Sequence, residues 1–89
     1  ITLDPKHPVD REDLLRSLDE RKIGTRLMFA GNIVRQPAYK NTTFRIASGL
    51  ENSDIVMRRT FWVGTYPGLS APMLDYIAES IDEFVRKAR

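Results

Sequence analysis

Ile23-Gly24-Thr25-Arg26-Leu27-Met28-Phe29-Ala30-Gly31-Asn32-Ile33-Val34-Arg35-Gln36-Pro37 decides how the chain folds, because three changes of direction fall within it. Gly24 stands where a left-handed residue closes a helix. Thr25–Phe29 has the length and apolar content of a strand. Residues 30–36 read as a short helix, and Pro37 stops it.

The segments on either side follow from this centre. Upstream, Asp10 is positioned as an N-cap, and Val9 before it and Leu14 inside it form a hydrophobic staple. Leu14, Leu15, Leu18 and Ile23 make the inward face. Glu12 and Asp13 sit at the positive end of the helix dipole, Arg21 and Lys22 at the negative end. Before that helix, Ile1-Thr2-Leu3 is strand-like and is broken by Asp4-Pro5-Lys6-His7-Pro8. Downstream, residues 38–51 read as a long loop anchored by Phe44 and Ile46. Asn52 or Ser53 then caps a short helix through Ile55, Val56 and Met57. Thr60-Phe61-Trp62-Val63 is a strand rich in β-branched and aromatic residues, and Tyr66-Pro67-Gly68 turns the chain. Ser70 caps the last helix, with Pro72 in its first turn. Its stripe is Met73, Leu74, Ile77, Ile81, Phe84 and Val85, and its outer side carries the pairs Asp82–Arg86 and Glu83–Lys87. The expected fold is therefore α+β, a small, mainly antiparallel sheet with helices on one face.

Composition narrows the chemistry. With 89 residues the chain makes one small domain, and it opens on Ile1, inside a strand-like triplet, as a piece of a larger protein is expected to do. There is no cysteine, so thiol catalysis and cysteine-ligated metals or clusters have no ligand here, and a single histidine does not make a metal site. Fourteen basic against twelve acidic residues leave +2, too little to drive binding to nucleic acid or to an anionic membrane. No apolar run approaches the roughly 20 residues of a membrane span.

His7 lies between two prolines with only Asp4 and Asp10 nearby, which is not a nucleophile–base arrangement; an exposed loop histidine is expected. Gly64 to Gly68 is too sparse to cradle a phosphate. Arg26 and Arg35, with Asn32, Gln36 and Tyr39 close by, have two readings. They converge on a phosphate or carboxylate through paired hydrogen bonds, or each pairs with an acid on a flanking helix. Of Phe61 and Trp62, strand alternation sends one inward, and both are expected in the core rather than as stacking platforms. Arg58-Arg59 reads as a helix end complementing its dipole.

Ile23 through Tyr39 as a whole resembles the corresponding stretch in DegT-type sugar aminotransferases. The resemblance is nearest to their branch of CDP-4-keto-6-deoxyglucose 3-dehydratases, which act in lipopolysaccharide dideoxysugar biosynthesis. Thr60-Phe61-Trp62-Val63-Gly64 followed by Tyr66-Pro67-Gly68-Leu69-Ser70 is similar to that branch's closing strand and turn. The resemblance implies that residues 1–89 are the C-terminal small domain of a pyridoxal-phosphate fold-type I enzyme, with the cofactor domain upstream. It implies a cytoplasmic, homodimeric full-length enzyme that takes a CDP-sugar. The cofactor would be pyridoxamine or pyridoxal phosphate held by the large domain, where a histidine replaces the usual Schiff-base lysine.

Electrons would come from a flavin and iron–sulfur reductase partner, and an iron–sulfur cluster elsewhere in the full-length chain is allowed for. By the same resemblance Asn32, Arg35 and Gln36 face the sugar, with Arg26 and Arg45 as weaker substrate contacts. No catalytic, cofactor-binding or metal-binding residue is expected in this stretch, and alone it is expected to be inactive. Other readings are a nucleotide-sugar aminotransferase of the same family and a stand-alone α/β RNA- or protein-binding module. The RNA version lacks the basic, glycine-studded strand such a sheet needs.

Overall fold

The structure, a computed structural model, describes residues 1–88. Asp10 accepts the Asp13 N–H at 3.1 Å and opens α1, Arg11–Glu20. Val9 and Leu14 are both buried, as a staple requires. The end of α1 differs from expectation. Lys22, not Gly24, takes the left-handed conformation, with φ of 65°. The Lys22 N–H donates to the Asp19 carbonyl at 3.0 Å and the Ile23 N–H to that of Leu18 at 2.9 Å, a two-bond C-terminal cap. Ile23 must reach the core beside Leu18, so the chain reverses at 22, and Gly24 does not take positive φ.

The strand β1 is Thr25–Leu27, shorter than expected because Phe29 also takes positive φ, 41°, and leaves the ladder. In place of one helix over 30–36 there are two single 3₁₀ turns, Ile33–Arg35 and Pro37–Tyr39. Pro37 starts the second of them as well as ending the first, since its fixed φ suits a first helical position. The helix α2 spans Glu51–Arg59 and begins at Leu50 without a side-chain cap, so neither Asn52 nor Ser53 serves as one. Phe44 and Ile46 are about half exposed rather than buried anchors of the loop.

The strand β2, Phe61–Val63, pairs antiparallel with β1 in the register Thr25↔Val63, Arg26↔Trp62, Leu27↔Phe61. Thr2 bridges to Thr60, and their hydroxyls are 2.8 Å apart, so the first residues extend the sheet. Ser70 caps α3, Ala71–Lys87, whose pairs Asp82–Arg86 and Glu83–Lys87 form as expected. The architecture is α+β, as the sequence suggested.

The core holds Leu3, Val9, Leu14, Leu18, Ile23 and Phe61, with Leu15, Val63, Ile77, Ile81, Phe84 and Val85 packed around it. Of the two strand aromatics only Phe61 is buried; Trp62 faces out. Met73 and Leu74, at the start of the α3 stripe, are about half exposed.

Two arginines hold the connections. Arg59 donates to the carbonyls of Asp4 and Val9, each at 2.6 Å, and of His7 at 3.0 Å. With Arg58 it stands in the last turn of α2, as the dipole reading expects, and it is also a strut for the Pro5–Pro8 loop. Arg11 donates to the carbonyls of Met57 and Thr60 where α2 passes into β2. His7 is half-buried, not exposed: its Nδ1 accepts the Val9 N–H at 3.2 Å, and its Nε2 is sealed from solvent without a partner among the described residues.

The radius of gyration is 15.9 Å, against about 12 Å for a compact domain of this length. Leu27, Phe29, Ile33, Trp62, Tyr66 and Tyr76 are among the large apolar side chains left exposed. The molecule has more apolar surface than its own core can cover.

Candidate functional site

The segment between β1 and the 40–50 loop is held by polar side chains. Gly31 has φ of 69°, and an added Cβ there would lie 2.5 Å from the Cα of Met57, so only glycine lets this backbone lie against α2. Asn32 is 3% exposed and caps the turn Ile33–Arg35: its Oδ1 accepts the Val34 N–H at 3.3 Å. Its Nδ2 donates to Oδ1 of Asp54 at 2.9 Å. Arg35 meets the same carboxylate with two parallel bonds, Nε to Oδ1 at 2.5 Å and Nη2 to Oδ2 at 3.0 Å. Gln36 reaches back through Nε2 to the Ala30 carbonyl at 2.9 Å and closes the loop on itself.

Three donors on one carboxylate define its charge state. The Arg35 hydrogen bonds, then that of Asn32, draw the Asp54 carboxyl down to about 2 against the opposing effect of burial, and the nearby Arg58 charge helps. The Arg35 guanidinium is pushed up from its ordinary value by the same pairing. Both groups stay ionised at any neutral pH.

Of the residues singled out from sequence, Asn32 and Arg35 therefore meet on Asp54, and Gln36 braces the same loop. For Arg35 the pairing with a helix acid is realised, while part of its guanidinium stays in solvent. Arg26 stands on the outer face of the sheet across from Trp62 and donates only to its own neighbour's carbonyl, Thr25, at 3.2 Å. Arg45 lies on the 40–50 loop beside a shallow depression of about 320 Å³ lined by Ile33, Val34, Tyr39, Thr42 and Phe44. Neither shares a partner with the Asp54 group.

Sequence reasoning missed Asp54 itself. Its acid-rich first helical turn is a local feature, and nothing local ties it to an arginine 19 residues earlier. The same holds for the exposed pair Phe29 and Trp62, whose rings meet edge-to-face at 5.9 Å and 74°.

A cavity of about 500 Å³ lies between β2 and the start of α3. Ile23, Val63, Leu69, Met73 and Ile77 give it apolar walls, two tyrosines line it, and its charged lining residue is Lys22. Among the described residues no group of three or more histidine, cysteine or acidic side chains is placed to hold a metal. No helix of the described residues is long and apolar enough to cross a membrane.

Comparison with known proteins gives the class of this α+β unit with its ordered polar loop and uncovered apolar faces. Residues 1–82 match the DegT/DnrJ/EryC1/StrS aminotransferase family, and the chain belongs to it. Among particular relatives, it is 52% identical over 88 residues to the dTDP-4-dehydro-2,6-dideoxy-D-glucose 3-dehydratase of Saccharopolyspora spinosa, an alignment covering 99% of this chain. It is 49% identical over 84 residues, 94% of this chain, to the lipopolysaccharide biosynthesis protein RfbH of Salmonella typhimurium. In both cases the alignment spans 19% of the relative's length.

Proposed function

We propose that residues 1–89 are the C-terminal, substrate-facing domain of a nucleotide-sugar 3-dehydratase of this family that depends on pyridoxamine or pyridoxal phosphate. The observation that carries the reading is near-complete alignment at 52% identity with a 3-dehydratase. The uncovered apolar surface supports it, because this stretch has faces suited to packing against further polypeptide.

The residues present do not fit the cofactor. The large cavity has no carboxylate for a pyridine nitrogen and no run of backbone N–H groups from a glycine-rich loop for a phosphate. The cofactor and the base that works on it belong to the remainder of the enzyme. The contribution of this chain is to bind and to exclude water. The loop from Phe29 to Gln36, fixed by Asn32, Gln36 and Gly31, forms one wall of a substrate cleft. Arg35 on that wall meets the substrate, with Arg26 and Arg45 as outlying cationic contacts. The full-length protein works in the cytoplasm as a homodimer, takes a CDP-sugar and receives electrons from a flavin and iron–sulfur reductase.

The test uses the full-length protein supplied with pyridoxamine phosphate and a 4-keto-6-deoxy nucleotide sugar. With a flavin and iron–sulfur reductase supplying two electrons, mass spectrometry is expected to show one sugar hydroxyl replaced by hydrogen, one water lost and two electrons and two protons gained, independent of added glutamate. Glutamate-dependent formation of a 4-amino sugar without loss of water would instead make the protein an aminotransferase.

A further inference from the structure

We propose that Asp54 is a positioning residue: it grips Arg35 by its Nε–Nη2 edge and turns the Nη1 edge toward the diphosphate of a nucleotide sugar. The proposal rests on the functional reading above. Three observations lead to it.

First, the grip is more elaborate than an exposed ion pair needs. Exposed pairs form without burying a third polar residue, and they contribute little. Here Asn32, 3% exposed, spends its amide donor on Asp54 while its oxygen caps the turn that carries Arg35. One carboxylate thus takes three hydrogen bonds from two residues, with both fork atoms of the arginine engaged.

Second, the other side of the guanidinium is free to work. The Arg35 side chain is 51% exposed, and its Nη1 has no partner among the described residues. A guanidinium carries five N–H donors, so two parallel bonds to Asp54 leave three for another anion. Because the fork is already held, little side-chain freedom remains to be lost when that anion binds.

Third, the local charge remains favourable. Asp54 balances Arg35, and a second cation, Arg58, lies close enough to act on the same carboxylate. The anionic group of a nucleotide sugar is its diphosphate, and a guanidinium edge matches phosphate oxygens in spacing and charge. The supports do not move easily: Gly31 packs on Met57, and Gln36 ties the loop to Ala30.

The test is a double-mutant cycle in the full-length enzyme, read as KM against kcat with a melting curve for each variant. Asp54→Asn keeps an acceptor for Asn32 but loses the charged fork. It is expected to raise KM for the nucleotide sugar roughly tenfold, the scale of one hydrogen bond to a charged group, with kcat changed less than about threefold. Arg35→Lys keeps the charge but cannot form the fork, and it is expected to raise KM similarly, which keeps the test usable if Asp54→Asn folds poorly. In an Arg35→Ala background, Asp54→Asn is expected to add nothing to KM.

A lowered melting temperature with unchanged KM in both Asp54→Asn and Arg35→Lys would make the cluster a structural brace and overturn the proposal. An equal rise in KM with and without Arg35 would overturn it too, because Asp54 would then not act through Arg35. Either result leaves the functional reading standing so long as the parent enzyme still removes water from the sugar. A parent that acts on no nucleotide sugar overturns both.

Discussion

Alanine at Gly24 is expected to stabilise the chain, although a glycine just after a helix is ordinarily the residue least safely replaced. The reason is where α1 ends. Its two-bond cap places the left-handed residue at Lys22, φ 65°, while Gly24 does not take positive φ. A Cβ built on Gly24 meets no atom within 4 Å. Alanine there removes conformations only from the unfolded chain, a gain of about 0.4–1 kcal/mol. If Gly24 were itself left-handed, the same substitution would cost about 1–2 kcal/mol, so the sign decides. The reciprocal change, Lys22→Gly, relieves a left-handed lysine. Offset by the extra freedom of glycine when unfolded, it is expected to gain about 0.5–1 kcal/mol. For a chain of this length each kcal/mol moves the midpoint by about 4–8 °C, so Gly24→Ala should raise it by about 2–8 °C. Thermal and urea unfolding followed by far-ultraviolet circular dichroism, with the urea m-value checked for constancy, measure this. A drop of several degrees for Gly24→Ala at unchanged m would refute the cap assignment and return the left-handed position to Gly24.

Arg59→Ala leaves the carbonyls of His7 and Val9 without their side-chain donor and that of Asp4 with only the His7 N–H, and it is expected to destabilise by roughly 2–3 kcal/mol; Arg59→Lys should recover little, since one ammonium does not span all three, and denaturant melts of both variants check it. The Asp54 carboxyl is held at about 2 when folded, below its ordinary value, so its contribution to stability is complete above the unfolded value and is lost as pH falls toward 2. Melting temperatures of the parent and Asp54→Asn should therefore differ most near neutrality, begin to approach each other below about pH 4 and converge only as pH falls below about 2, while a gap that stays constant over that range would sink the argument. Exposed Phe29, Ile33, Trp62 and Tyr66 predict that the isolated 89-residue chain binds a hydrophobic dye and self-associates. Paired Phe29→Ser and Trp62→Ser substitutions should reduce both signals in fluorescence and sedimentation measurements, and a dye-silent monomer at high concentration would count against it.

Much of the fold is legible without coordinates wherever the responsible contact closes within about four residues. Asp10 and Ser70 cap their helices as their side chains predict, Val9 and Leu14 form the staple, and the acid-before-base pairs of α3 sit one turn apart. Thr60 to Val63 declares a strand through β-branched and aromatic content alone, and family membership follows from the same residues in order. These features survive because short-range geometry is set by the backbone and does not depend on what the rest of the chain is doing.

Tertiary structure decided the remainder, each time by bringing together groups far apart in sequence. Local rules offered Gly24 as the helix end, but the need for Ile23 to pack beside Leu18 in the core forced the reversal two residues earlier, onto a lysine. Alternation required one of Phe61 and Trp62 to point inward; the core against α1 took Phe61 and left Trp62 to pair with Phe29. Arg59 stands at the end of α2 as a dipole partner, but its second role was invisible in sequence, because the three carbonyls around it come from residues some fifty positions earlier. Arg35 and Asn32 were visible as candidates, yet whether they shared an anion depended on Asp54 arriving from α2. A side chain's type limits what it can bond, and only packing determines which of the permitted partners comes within 3 Å.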